Sequence, residues 1–351
     1  MANTSYGVNH PLAVKLWASE LMKESLKKTS FAQFMGKSSN SLCQVKTDLQ
    51  KQAGDRIRYG IRYQLAGDGV VGDDTLEGNE EALVTFSDDI YINQTRHAVR
   101  SEGKMSEQRV PFSVRAESRD GLADWFSNVL DTAFFNQLAG NTAETRESFY
   151  GHNTPTAPDA DHVIYPSAAS EAALSASTAD YFSLTLLDQA VEKAQTAAVP
   201  LRPLNLGQGD LKYVCFLHPY QVTQLRTSTD TGQWLDIQKA AMSGGNVSKN
   251  PIFTGALGVY NGVVLHSNTR VPVGVNNSSS RRAIFAGAQA ACMAFGSGSG
   301  GKMPFNWKEE LFDYQNQLGV AAGSIWGMNK TQFNGSDVGT IVISTYAVAS
   351  S

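Results

Sequence analysis

Residues 56–81 read RIRYGIRYQLAGDGVVGDDTLEGNEE, and the change of character along this stretch decides how the rest of the chain is organised. Through its first ten residues apolar and polar side chains alternate. Ile57, Tyr59, Ile61, Tyr63 and Leu65 share one face, with Arg56, Arg58 and Arg62 on the other, which is the period of a strand with one apolar side. Past Leu65 the alternation stops. Gly67, Gly69, Gly72 and Gly78, interspersed with Asp68, Asp73, Asp74, Glu77, Glu80 and Glu81, make a turn-rich acidic tip, and no basic residue occurs between Gln64 and Gln94. A second extended run, Leu83 to Val99, returns with Val84, Phe86, Ile90 and Ile92. Together the two runs predict a long two-stranded ribbon. About 20 residues on each side would reach roughly 65 Å at ~3.3 Å per residue. An isolated hairpin is marginal in water, so the ribbon must lie on its own body or on another subunit.

Upstream, Val14, Trp17, Ala18, Leu21 and Met22 recur at helical spacing over residues 12–28 and precede a Ser/Asn-rich segment, 37–41. This reads as an amphipathic helix on an N-terminal arm that needs something to pack against. Downstream, Leu122, Trp125, Phe126, Val129, Leu130, Ala133, Phe134 and Leu138 form the broadest apolar stripe in the chain, opened by Asp120 and closed by Gly140. Residues 141–180, rich in Ala, Ser, Thr, Asn and Pro, predict an irregular connection. A helix over Ser183–Ala198 stops before Pro200. Tyr213–Leu217 predicts a short buried strand, Pro219–Arg226 and Trp234–Met242 predict helices, and Asn261-Gly262 between apolar flanks predicts a hairpin. The remainder is extended, over 284–286, 307–314, 320–326 and 338–346. Helices and strands mix without a βαβ rhythm, so the fold class is α+β.

Composition narrows the function. The chain has 351 residues, 29 basic against 33 acidic side chains and a net charge of -4, with 18% charged residues and 31 glycines. That is material for a large core rather than a disordered chain. The balance offers no surplus of cations for neutralising phosphates, so contact with DNA is expected to be weak and non-specific. Cys43, Cys215 and Cys292 are odd in number and far apart, as expected of free thiols in a reducing compartment. Neither a secretion signal nor a membrane span is expected: the most apolar stretch, Ala283–Phe295, is interrupted by Gly287 and Gln289.

No motif supplies a reaction. Gly296-Ser-Gly-Ser-Gly-Gly301-Lys302 has the glycines and lysine of a phosphate-cradling loop, but Met303 stands where a hydroxyl should hold magnesium and no amphipathic helix follows. A glycine-serine loop is the plainer reading. His152, Asp159, Asp161 and His162 crowd one loop without the spacing of a helix-borne metal pair. The acidic tip lacks the alternate acids of a calcium loop, with Val70 and Gly72 in those places after Asp68. A solvated charged tip is one reading of it. The other is docking on a basic patch of a neighbour, helped by Arg56, Arg58 and Arg62 at the opposite end of the ribbon.

Several segments together resemble the major capsid proteins of tailed bacteriophages, in the family typified by the podophage called N-four. They are Phe31-Ala-Gln-Phe34-Met-Gly36, the tip Leu65–Glu81, Arg96-His97-Ala-Val99, Met105-Ser-Glu-Gln108-Arg109, the helix at 120–139, His218-Pro219 and Gly258-Val-Tyr-Asn261-Gly262-Val263. The resemblance covers most of the chain, is most specific from Gly67 to Glu81, and is weakest over 141–205. It implies the Hong Kong 97-type (HK97-like) capsid fold. Residues 1–55 would be the N-terminal arm, 56–112 the extended loop, 113–205 a peripheral domain with its spine helix, 206–300 an axial domain, and 301–351 the return to the peripheral domain. The activity implied is assembly into hexamers and pentamers of an icosahedral shell around double-stranded DNA, with no catalysis and no cofactor or metal. The expected partners are identical subunits, a scaffolding protein, a portal protein and a reinforcing decoration protein, with no membrane. The location would be the virion, after assembly in the host cytoplasm. Arg56, Arg58, Arg62, Asp68, Asp73, Asp74, Glu77, Glu80, Glu81 and Trp17 are the expected intersubunit contacts. Some shells of this fold class are cross-linked through a loop lysine; here no lysine occurs between Lys51 and Lys104, so a non-covalent shell is expected. The rival readings are a tail or decoration component, or a soluble enzyme using the glycine loop or the His/Asp loop.

Overall fold

A computed structural model describes residues 20–22, 24–25, 28–47, 54–62, 69–73, 75–81, 85–111, 113–197, 200–205, 210–227, 256–297 and 305–349. Following the short strand β1 (Cys43–Lys46), β2 (Arg56–Arg62) pairs antiparallel with β3 (Thr85–Tyr91), from Arg56 opposite Tyr91 to Arg62 opposite Thr85. The expected antiparallel pairing is there, over seven residue pairs rather than the roughly 20 residues a side expected. Ile57 and Ile90 are buried against Cys292 and Ala294 while Arg56 and Arg58 face outward, as the alternation requires. The second run is not one continuous strand. It breaks at Ile92, whose N–H makes the last bond to the first strand, at Asp55 O (2.9 Å); on the outer side of β3 the Asn153 side chain accepts from the N–H of Tyr91 and donates to its carbonyl (2.9 and 3.0 Å). β4 (Asn93–Arg100) then leaves the ribbon and joins a larger sheet.

The long helix α1 spans Val114–Leu138 and starts six residues before the expected Asp120, because Ser113 caps it: the Ser113 hydroxyl accepts from the Ala116 N–H. Its end follows from Gly140, which takes φ 59°. Gly140 N–H bonds Gln137 O (3.1 Å) and Asn141 N–H bonds Asn136 O (2.9 Å), the paired closure that a left-handed residue permits. The apolar stripe is wider than its spacing suggests. From Val129 to Leu138 the helix is buried on nearly every side, and even Asn136 and Gln137 are spent on the carbonyls of Phe149, Tyr150 and Asn153.

Residues 141–180 are irregular, held by short 3-10 turns. Then come α2 (Leu184–Thr196), β5 (Leu211–Leu217), α3 (Pro219–Thr227), and the hairpin of β6 (Ala256–Tyr260) and β7 (Val263–Ser267). Asn261 and Gly262 turn that hairpin with φ 43° and 75°. The helix expected over 234–242 lies outside the described residues. With β8 (Ser280–Ala286) and the C-terminal β12 (Thr340–Tyr346), these strands build one sheet in the order β12-β8-β5-β7-β6, which Val163–Ile164 extends beyond β12. Both of its faces are covered. Val214, Phe216 and Ile284 point to α1, while Tyr213, Cys215, Leu217 and Phe285 point to α2 and α3. That double burial is why these strands read as continuous apolar runs.

The other large sheet uses β1, β4, β9 (Ala291–Phe295), β10 (Phe305–Phe312) and β11 (Gln317–Lys330). β11 is its axis, pairing with β10 and β9 along successive halves and with β4 over Gly319–Trp326. Residues 206–300 therefore serve both sheets, and the C-terminal β12 closes the sheet that β5 and β8 begin.

The two sheets and α1 share one core. Arg282 of β8, almost fully buried, donates to both Glu171 oxygens (2.7 and 2.8 Å) and also to the carbonyls of Ala139 and Gly140 at the end of α1 (3.1 and 2.9 Å). One guanidinium thus ties the helix end to the sheet. Among the described residues no helix is long and apolar enough to cross a membrane.

Candidate functional site

The candidate site is the ribbon and the surfaces that hold it. Its root is fixed on three sides. Across the ladder, Arg58 makes a bidentate pair with Asp89 (2.7 and 3.0 Å), Arg56 reaches the same carboxylate at 3.3 Å, and Arg56 also donates to the Tyr91 hydroxyl. The hydrogen bonds from Arg58 hold Asp89 below the usual carboxylate range. Behind the ladder, Tyr59 donates to Asp88 (2.8 Å), and burial pushes its phenol up. From the body, Asn329 donates to Asp89 O (3.2 Å) and Asn153 clamps Tyr91. Gly327 of β11 lies so close to the ribbon that a Cβ there would sit 1.9 Å from Tyr91 O.

A small hairpin, Gln332–Phe333 with Ser336–Asp337, braces the same root: Gln332 N–H approaches Asp88 at 3.4 Å. The hairpin rests on Lys330, whose fully buried ammonium contacts Asp337 at 2.7 Å and Thr156 O at 3.1 Å. Burial pushes the Lys330 ammonium down, and the Asp337 carboxylate opposes that shift. The root is therefore rigid by construction.

The tip is the opposite. Asp73, Glu77, Glu80 and Glu81 are exposed, and so are two apolar residues among them, Val71 at 81% and Leu76 at 61%. Its internal order is local: Asn79 N–H bonds Leu76 O, and Glu80 accepts from Gly78 N–H (2.7 Å). A carboxylate-rich loop carrying solvated apolar side chains is a poor end state for an isolated molecule, and a good one for a surface that will be covered.

The N-terminal arm is anchored by aromatic rings. Phe31 stacks on Phe134 of α1 with centroids 4.3 Å apart, and Phe34 meets Phe216 and His266 edge-on. Ser30 N–H donates to both oxygens of Asp131 on α1 (3.0 and 3.1 Å). Burial raises the Asp131 pKa, and the hydrogen bonds from Ser30 work against the rise.

The ten expected contact residues do not behave alike. Asp73, Glu77, Glu80 and Glu81 gather at the exposed tip. Arg56 and Arg58 share Asp89 within the ribbon, although both remain partly exposed. Arg62 sits in the ladder opposite Thr85. Trp17, Asp68 and Asp74 lie outside the described residues. Asp89 is the partner the sequence reading missed, and the signal was there: once the hairpin register is assumed, Asp88 and Asp89 fall opposite Tyr59 and Arg58. Nothing in the sequence marks Asn153 as the clamp.

The residues of the enzyme reading are engaged structurally. His152 lies between Glu147 (3.0 Å) and Thr95 (2.7 Å), and His162 pairs with Asp159 (2.7 Å) in a separate turn. Among the described residues no three His, Cys, Asp or Glu side chains gather as a metal cluster. Gly296 N–H bonds Ile325 O as a continuation of β9; Lys302 lies outside the described residues.

A family model described as phage capsid protein matches residues 4–349. The major capsid protein of Pseudomonas phage KPP25 is 30% identical over 91% of this chain and 89% of its own length. The capsid structure of Ralstonia phage GP4 superposes with a TM-score of 0.80 at 35% identity, covering 99% of each chain. A cyanophage Pam1 capsid subunit shares the fold at a TM-score of 0.72 and 19% identity, over 99% of this chain and 94% of that one.

Proposed function

This chain belongs to the phage capsid protein family and has the HK97-like fold, and from there we propose how its parts build a shell. It is a major capsid protein, and copies of it assemble with one another. In our reading the copies form hexamers and pentamers of an icosahedral shell enclosing double-stranded DNA, and each subunit lends its ribbon to a neighbour. One observation carries this: the ribbon root is locked to the body from three sides while the tip is acidic and, among the described residues, leaves Val71 and Leu76 in solvent. A firmly rooted ribbon with an exposed end transmits subunit position to the next copy.

The extended loop is assigned to residues 56–112 and the arm to 1–55. The sheet of β4, β10 and β11 with α1 is read as the peripheral domain, and the sheet of β5–β8 as the core of the axial domain. Many individually modest contacts suit this task, because errors must reverse before closure, and multivalency then supplies the strength. Catalysis has no part in the reading. A scaffolding protein, a portal and a decoration protein are proposed partners, and the host cytoplasm the place of assembly.

Deleting residues 67–82 tests the reading. A soluble, folded subunit that no longer closes shells, seen by circular dichroism and electron microscopy, is the expected result; normal particles from the deletion would refute it. Mature particles should also run as a single denatured band at subunit mass, and a ladder of covalent oligomers would refute the non-covalent shell.

A further inference from the structure

Arg281 and Arg282 are neighbours on β8 and point to opposite faces of its sheet. Arg282 meets Glu171 and the end of α1. Arg281 falls on the other face, with Ala283 and Phe285, beside the first turn of α3. That turn is held in place from its own side. Gln221 donates to Arg281 O (3.2 Å) and to the Thr345 hydroxyl (2.8 Å), and Gln224 donates to Tyr346 O (3.0 Å), so α3 is tied to β8 and β12 together. The Arg281 guanidinium lies 5.5 Å from the centroid of the Tyr220 ring. Among the described residues its side chain makes no ion pair, and Nε is buried without a hydrogen-bond partner.

His218 flanks the same ring. Its side chain is buried, its ring centroid lies 4.3 Å from that of Tyr220, and Nδ1 accepts from the Tyr220 N–H (3.2 Å). In the neutral imidazole the proton therefore sits on Nε2, a donor for which the described residues supply no acceptor. Burial, with Arg281 close by, holds His218 down at about 4, and burial pushes the Arg281 guanidinium down as well. No carboxylate offsets either shift. Glu171 is engaged with Arg282 on the opposite face, and Asp180 accepts from Ser167 and Ser175. The start of α3, a helix of 9 residues, adds its own positive end to the cluster.

A partly buried guanidinium without a counter-charge is costly, and setting it beside a second unanswered donor and a helix start raises the cost. An arriving anion removes all three penalties at once. We infer that Arg281 and the Nε2–H of His218, with Tyr220 as the wall between them, bind a phosphate-class oxyanion at the start of α3. The guanidinium offers two parallel N–H groups and the imidazole a third, which suits a tetrahedral anion better than a carboxylate with two oxygens. Free phosphate and the phosphate of a polynucleotide share that chemistry. The site lies on the sheet of β5–β8, uses no residue of the ribbon, and goes beyond the shell reading without depending on it.

Titration of the full-length unassembled subunit tests the site. Sodium phosphate, compared with sodium chloride at matched ionic strength, should raise the melting temperature saturably and shift the His218 ring signals in NMR along the same curve. His218→Asn identifies those signals by their disappearance. It also keeps an acceptor for the Tyr220 N–H while removing the Nε2 donor, so its phosphate affinity should fall. Arg281→Gln should fall further, by about tenfold or more, as expected when a charged hydrogen-bond partner is lost, with circular dichroism unchanged. Thymidine monophosphate and a short DNA duplex separate the sources. Response to phosphate and the mononucleotide alone assigns the free anion; a duplex response that Arg281→Gln abolishes assigns the polynucleotide. His218 signals in the parent protein that ignore phosphate overturn the inference whether or not the variants fold, and so does an unchanged affinity in Arg281→Gln.

Discussion

Arg282→Ala removes one side chain and unbalances three elements at once. The guanidinium satisfies both oxygens of Glu171 and the carbonyls of Ala139 and Gly140, while Glu171 in turn accepts from Asn276 N–H (3.0 Å) and Ser344 Oγ (2.9 Å). Glu171 is 1% exposed, so truncation strands a buried carboxylate whose remaining donors are neutral. Breaking one side of a buried pair costs about 3–5 kcal/mol. With a urea slope of about 3 kcal/mol/M for a chain of this size, the midpoint of the unassembled subunit should fall by roughly 1–1.7 M.

The pH dependence follows from the same group. Burial alone would raise the Glu171 pKa, but the hydrogen bonds and charge of Arg282 outweigh it, and the folded value lies below the ordinary one. The group's contribution is therefore complete above the usual glutamate range and disappears as pH falls through the depressed value. The alanine variant should lose that part of the acid dependence. A double variant, Arg282→Met with Glu171→Leu, should cost less than the sum of its single changes. A midpoint unchanged by Arg282→Ala, or strict additivity in the double variant, would refute the idea that this pair couples the end of α1 to the sheet.

Three further outcomes follow. Gly327→Ala should push the ribbon root off β11, since its Cβ would overlap Tyr91 O; a loss of about 1–3 kcal/mol and faster amide exchange over 85–100 than in the parent are expected, and unchanged exchange there would count against the clamp. Burial, with Arg281 nearby, holds His218 down at about 4, so the folded state favours the neutral ring. Stability should drop as pH falls from about 6.5 toward about 4, and His218→Gln should flatten that limb in pH-resolved melting. Burial raises the thiols of Cys43 and Cys215, so the native subunit should resist alkylation of both and react only on unfolding, as mass spectrometry can count.

The sequence by itself determined the local elements whose cause is local. Alternation at 56–65 is a strand because Ile57 must be hidden and Arg56 and Arg58 need not be. Asn261-Gly262 is a hairpin because both residues tolerate positive φ, and Gly140 ends α1 for the same reason. The exposed acidic tip was legible too, since nothing in 69–81 is able to pay for burying five carboxylates. Tertiary structure alone decided where those pieces attach. That the second ribbon run leaves its partner after Ile92 and that Arg58 is claimed by Asp89 depend on groups distant in the chain meeting in space, as do Asn153 at Tyr91, Gly327 beneath it and Arg282 at the end of α1. Hydrogen-bond partners and close backbone approaches have no periodicity to betray them. A strand's alternation shows that one face is covered, and only the packed molecule shows that the edge of β4 is not.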